Sequence, residues 1–243
     1  MKAPLWGTCD SLNVVVAVPK DELRPLLTED LDFTPQDFTE EGYHPVIFQA
    51  NTQLIRVLFP FFRKRYYEMI PLIPYIHFKS KPEVSYQSAP ILYVSSWAIV
   101  FGARLLWHLN KVLSRFRLST PVKDMPQVGK LQEKVWRKSV EAIDLNATVA
   151  GDTGKAADFP NFQKVSTLFI RNALIYNDKS QYWAARYQVE VGEVQPVDAE
   201  VVVKSVEGLE SKTYTASGID RALLGAYRYQ FSWWLWKPKR YRL

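Results

Sequence analysis

Apolar and polar residues alternate with period two through most of this chain, and that period limits what it can fold into. In "AIDLNATVAG", Ile143, Leu145, Ala147 and Val149 alternate with Asp144, Asn146 and Thr148. Successive side chains of a strand point to opposite faces, so such a segment buries one face and wets the other. The same reading applies to "NVVVAV", "HPVIFQANTQLIRV", "YEMIPLIPYIHF", "ARYQVEVGEV" and "AEVVVKSV". Separated by Pro, Gly, Asp and Asn turns, these segments predict a mostly β fold with few short helices, an antiparallel barrel or sandwich. "PKDELRPLL" opens on Pro19 with acids in its first turn and predicts a short helix after the first strand. "LLWHLNKVLSRF" sets Leu106, Leu109 and Leu113 on one helical face and predicts a second. "STPVKDMPQVGKLQEK" and "AGDTGKAADFPNF" read as loops. The longest apolar stretch, "APILYVSSWAIVFGARLLW", is interrupted by serines and Arg104 and reads as a buried strand, not a membrane span.

At 243 residues and 47% hydrophobic content, the chain can bury a sizeable core, and no repeat or linker divides it, so a single domain over residues 1–243 is expected. Aromatics make up 14%, with eight Trp, an apolar load that fills a core or an interface between copies, so a homo-oligomer is expected. "FSWWLWKPKRYRL" is predicted to form a strand in such an interface, with Trp233 and Trp236 more buried than Lys237, Lys239 and Arg240. Its mixture of Trp and basic residues also occurs at lipid surfaces, a weaker alternative. A single cysteine and three histidines argue against a disulfide framework and a zinc site, and a reducing, cytoplasmic compartment fits. No apolar segment of signal-peptide length precedes Asp10. The net charge of +6 gathers in "FRKRYY" and "WKPKRYRL" without a recognisable nucleic-acid module, so no nucleic-acid partner is expected.

Few motifs carry chemistry. "GDTGKAAD" has a Gly-Lys pair, but the glycine spacing is too short for a phosphate loop and Ala156 stands where Ser or Thr is needed, so it reads as a turn. No Gly-x-Ser-x-Gly elbow is present, and Cys9 reads as a small buried residue. Two ionisable residues remain in apolar sequence. Glu68, in "RYYEMIPLIPYI", either sits in a desolvated site suited to proton transfer or pairs at the surface with Arg63 or Arg65. Lys111, in "WHLNKVL", either snorkels from an amphipathic element or is a desolvated amine, as an imine-forming lysine must be.

"YYEMIPLIPY" followed by "ARLLWHLNKVL" resembles the acetoacetate decarboxylase superfamily, in which a Tyr-x-Glu strand and an Ile-Pro-Val segment precede a Gly-Arg-Glu run ending in Pro-Lys. The likeness covers roughly residues 10 to 115, including "LNVVVAVPKDELRPLLTEDL" and "EGYHPVIF". It implies a cone-shaped antiparallel β barrel with Arg104 as the family arginine and Lys111 at the place of the Schiff-base lysine. Trp107 and Leu113 fall where relatives often have Trp and Leu. Ala103, Leu105 and Asn110 replace the family's Gly, Glu and Pro, and Val112 stands where the decarboxylase has a second lysine. Cys9 stands where it has an arginine for the substrate carboxylate. A slip of one residue would put Asn110 in the lysine's place.

The resemblance implies a Schiff-base lyase, of decarboxylase, aldolase or dehydratase type, for a small keto acid or ketone. Lys111 would form the imine, Glu68 would move the proton, and Arg104 would hold the lysine's loop or orient a carboxylate. No cofactor and no metal are expected. The alternative is a non-catalytic member of the same fold that binds an apolar ligand or serves as a structural subunit.

Overall fold

The computed structural model describes residues 5–57, 63–118, 130–170, 173–178, 181–206, 209–218 and 224–241. Strand Leu5–Pro19 runs antiparallel to Tyr43–Val57 on one side and to Ala226–Leu235 on the other. Beyond Tyr43–Val57 come Arg63–Phe78, the short Leu92–Val94 and, parallel to the latter, Lys111–Leu113. Beyond Ala226–Leu235 come Tyr187–Val203, Val140–Val149, Lys130–Arg137 and Arg115–Leu118, each antiparallel to the last. Only Ser114 separates Lys111–Leu113 from Arg115–Leu118, so chain continuity joins the two ends and the sheet is a nearly closed barrel. A smaller group, Lys81–Ser88, Ala173–Asp178, Gln181–Ala185 and Lys239–Tyr241, extends from the far half of Arg63–Phe78.

Period-two alternation sorts the buried side chains into two cores, one on each face of the long strands. Leu12, Val14, Val16, Phe48, Met69 and Val112 belong to the first. Val15, Ile47, Tyr66, Ile70, Tyr229 and Trp233 belong to the second, which helix Pro160–Ile170 covers with Phe162, Val165 and Leu168. Truncating one of these large side chains, Phe48→Ala for example, is worth about 3–5 kcal/mol. Tyr75, at φ +48°, breaks the alternation within Arg63–Phe78, so that Ile76 joins Ile73 in the first core. That region is uncommon for an aromatic residue, and the ladder to Lys81–Ser88 shifts register at the same place.

The helices differ most from expectation. "PKDELRPLL" does form a short helix, Lys20–Leu23, continued by a turn of 3₁₀ helix. The stretch read as one buried strand is instead strand Leu92–Val94 and helix Trp97–Trp107, which exposes Trp97, Phe101, Leu105 and Leu106. A continuous apolar run has no period that tells a buried strand from a helix, and the signal that was passed over is its length, well beyond the roughly 4–8 residues of a buried strand. The helix predicted further on is therefore misplaced. His108, at φ +57°, takes the left-handed conformation that stops a helix, and Leu109 is buried while Leu106 and Leu113 are exposed. "AGDTGKAAD", read as a turn, contains the two-residue strand Gly154–Lys155 and the 3₁₀ turn Ala156–Asp158, and Pro160 opens the helix Pro160–Ile170, which the loop reading missed. Residues 119–129 of the other predicted loop lie outside the described residues, and from Lys130 its sequence is strand. "ARYQVEVGEV" and "AEVVVKSV" belong to the single bulged strand Tyr187–Val203, apart from their ends. Trp233 is buried inside the chain itself and Trp236 is half-buried, while Lys237, Lys239 and Arg240 are exposed, the predicted order. No described helix is long and apolar enough to cross a membrane.

Candidate active site

Glu68 and Lys111 lie on strands that flank the same short neighbour. Glu68 is opposite Val94 in the antiparallel register, and Lys111 is beside Leu92 in the parallel one. Alternation puts Glu68 on one face with Tyr66, Ile70 and Leu72. Lys111 reaches that face because the left-handed turn at His108 ends the helix and restarts the chain as a strand. The Glu68 and Lys111 residues are 3% and 6% exposed, and the ammonium pairs with Glu68 Oε1. Of the alternatives open in the sequence, the surface pairing of Glu68 and the snorkelling of Lys111 are both absent, and Arg63 and Arg65 are exposed. Asn110 turns away, donating from Nδ2 to the Pro90 carbonyl oxygen at 2.8 Å.

A chain of hydrogen bonds fixes the carboxylate. Gln53 Nε2 donates to Glu68 Oε2 at 3.1 Å, and Gln53 Oε1 accepts from Trp233 Nε1 at 2.8 Å. Gly7 makes room for that indole: a Cβ there would lie 2.8 Å from a Trp233 ring carbon and 2.6 Å from the Leu54 carbonyl oxygen. The Tyr66 ring lies 5.3 Å from the Lys111 nitrogen, within reach of a cation–π contact. Burial first, and the Glu68 charge second, push the Tyr66 phenol well above its usual range; burial does the same to Tyr187. Both hydroxyls stay protonated at neutral pH and can donate. These groups, with Gln49, Gln87, Leu109 and Leu235, line a cavity of about 80 Å³. At some 10–15 Å³ for each water-sized group, that holds on the order of five.

Arg104 does not line the cavity. Its Nε donates to the Lys111 carbonyl oxygen at 2.7 Å, tying the helix to the lysine's own backbone. Cys9 is also outside the cavity; its thiol donates to Asn51 Oδ1 at 3.3 Å, and burial pushes its pKa well up, which leaves it unreactive. Val112 packs in the opposite core. Sequence reasoning missed Gln53, Tyr66, Tyr187, Trp233 and Gly7. Period two could have put Tyr66 beside Glu68, and two glutamines four residues apart in an apolar strand were a signal, but Trp233 comes from 180 residues away. Among the described residues, no cluster of three His, Cys, Asp or Glu could hold a metal.

No protein-family model matches the sequence, and no curated protein matches it. Solved structures do match, along nearly the whole chain. An acetoacetate decarboxylase-like enzyme from Sphingomonas wittichii RW1 aligns over 100% of this chain and 94% of its own, with TM-score 0.68 and 15% identity. Acetoacetate decarboxylase from Legionella pneumophila covers 99% of this chain and 88% of its own, with TM-score 0.67 and 11% identity. The enduracididine biosynthesis enzyme MppR, in complex with pyruvate, covers 99% and 91%, with TM-score 0.65 and 12% identity. The fold is therefore acetoacetate decarboxylase-like, as the sequence resemblance implied.

Proposed function

We propose that the protein is a Schiff-base lyase that captures a small carbonyl compound through Lys111. The observation that carries this reading is the burial of the Lys111 amine and the Glu68 carboxylate against one shared cavity. Proton transfer within the pair yields the neutral amine that nucleophilic attack requires. The amine adds to the carbonyl carbon, the carbonyl oxygen leaves as water, and the resulting iminium draws electrons from the adjacent carbon. A carbon–carbon bond then breaks, or a proton leaves, with Glu68 as proton carrier held in place by Gln53. Arg104 acts as a positioning residue through the Lys111 backbone. The non-catalytic alternative is favoured by Val112 and Cys9, which remove the cations expected at those places. The homo-oligomer reading is supported by the exposed Trp97 and Phe101, and a monomer's molar mass in light scattering would end it.

The test is borohydride trapping with acetylacetone, the adduct mapped by mass spectrometry. Wild type should be labelled at Lys111, and Lys111→Met should abolish that label while the protein stays folded. Glu68→Gln should slow turnover by roughly 10²- to 10⁴-fold, more than it slows adduct formation. Label scattered over exposed lysines would support the non-catalytic alternative.

A further inference from the structure

We infer that the site accepts a neutral aldehyde or ketone and rejects keto acids. This rests on the reading of Lys111 as the imine former. Among the described residues lining the cavity, the charged side chains are Lys111 and Glu68, and each is the other's partner. The remaining polar groups are the amides of Gln49, Gln53 and Gln87, the Tyr66 and Tyr187 hydroxyls and the Trp233 indole N–H, all uncharged. Arg104 is outside the lining and bonded to backbone, and Cys9 carries no charge.

Charge balance follows. With a neutral substrate, the lysine's positive charge becomes the iminium's, and Glu68 remains its counter-ion. A substrate carboxylate adds a second negative charge within this small space, where the described lining has no second cation to meet it. Burying an unpaired charge costs several kcal/mol even after relaxation. A keto acid could enter with Glu68 protonated, but that removes the acceptor for the lysine's proton. The pyruvate complex of the MppR enzyme is a keto acid complex, so on this point the two sites are expected to differ.

Without a carboxylate to lose, decarboxylation is not the reaction. The amine, the carbonyl and the proton that Glu68 had taken from the lysine give iminium and water; the freed Glu68 carboxylate then takes a proton from the adjacent carbon and leaves a neutral enamine. The enamine carbon then attacks a second carbonyl, forming a carbon–carbon bond, or expels a β-hydroxyl as water with the proton Glu68 returns. The reverse of that carbon–carbon bond formation, with Glu68 taking the β-hydroxyl proton, cleaves a β-hydroxy ketone. The substrate class is thus a small ketone or aldehyde entering an aldol-type addition, cleavage or dehydration.

Near-isosteric pairs test this: acetylacetone against acetoacetate, and methyl pyruvate against pyruvate, in which a methyl or methoxy group replaces the carboxylate oxygen. Trapping rates at Lys111 are normalised to those of a simple amine in solution. The neutral member of each pair should be trapped at least about tenfold faster, the factor that corresponds to about 1.4 kcal/mol. Gln87→Arg, which sets a cation in the lining, should narrow that ratio. Equal or faster trapping of the acids, or an adduct of acetone mass formed from acetoacetate, would overturn the inference and leave Lys111 as imine former. No Lys111 adduct from any of the four would overturn both. If Gln87→Arg does not fold, the wild-type ratio decides alone.

Discussion

Two buried ion pairs sit on opposite faces of the same sheet, and the space around them differs. On one face, Lys111 and Glu68 border a cavity of about 80 Å³. On the other, Arg228 donates to both Asp10 oxygens, from Nε at 2.9 Å and from a terminal nitrogen, beside the buried carboxyl of Glu133. Asp10 also borders an open pocket of about 470 Å³ that Arg228 does not line, but the void lined by both partners, with Leu12, Ala50 and Leu131, is about 10 Å³. That admits about one water. Burial of a charged pair is therefore not what marks a site, because both pairs are buried. What differs is the room beside both partners: on the proposed reading the cavity at Lys111 and Glu68 admits a reactant, and the void between Asp10 and Arg228 does not.

The largest expected effect comes from breaking each pair on its own side. Arg228→Met leaves the Asp10 carboxylate without its cation beside the buried Glu133 and should lose about 3–5 kcal/mol, read from the urea midpoint at constant slope. Arg228→Met with Asp10→Leu should recover most of that loss. Lys111→Met should cost less stability, because Glu68 keeps Gln53 as a donor and borders a cavity that water can enter. It should nevertheless abolish imine trapping. The comparison breaks if Lys111→Met proves the more destabilising of the two.

A smaller effect concerns pH. Burial, and then the charge of Asp10, push the Glu133 carboxyl up to about 8, while burial lowers His44 to about 4. A carboxyl whose pKa is raised on folding binds more protons folded than unfolded, so its contribution is complete below its unfolded value. It is lost as pH climbs toward about 8. His44 acts in the opposite sense: between about 4 and its usual value the unfolded chain binds more protons, so stability rises with pH. Glu133→Gln should remove the decline toward pH 8 and keep the rise due to His44. Denaturant titrations at several pH values check this, and an unchanged decline would place its origin elsewhere.

How much of this was legible in the sequence depended on range. Alternation identified the strands because period two is local, and the same period could have set Tyr66 on the face of Glu68, a step the sequence reading did not take. The helix Trp97–Trp107 was hidden because its exposed Trp97 and Phe101 made the run look buried throughout. Glu68 and Lys111 were legible as a pair through family resemblance, since 43 residues separate them and no local period connects them. Asp10 and Arg228, 218 residues apart, had no such guide. The role of Gln53 was equally out of reach, because it depends on Gly7 admitting Trp233.

The smallest effect tests which face of its strand residue 112 occupies. In sequence, Val112 stands where the decarboxylase has a second lysine, which points to Val112→Lys lowering the pH at which Lys111 forms an imine. The structure argues for a weaker response. Val112 is next to Lys111 in a strand, so its side chain leaves the opposite face, into the core of Leu12 and Met69. A lysine there must carry its ammonium out to water, where screening weakens its influence on the cavity. Leu109→Lys is the control, because Leu109 lines the cavity itself. A cation there faces the amine in low dielectric and should move the pH profile of trapping downward by roughly one unit or more. Val112→Lys should move it by no more than roughly a few tenths of a unit, at the expense of several kcal/mol of stability for the lost core contact. Equal shifts in the two variants would mean that charge acts through the sheet as strongly as across the cavity, and that the two faces are not electrostatically separate as proposed.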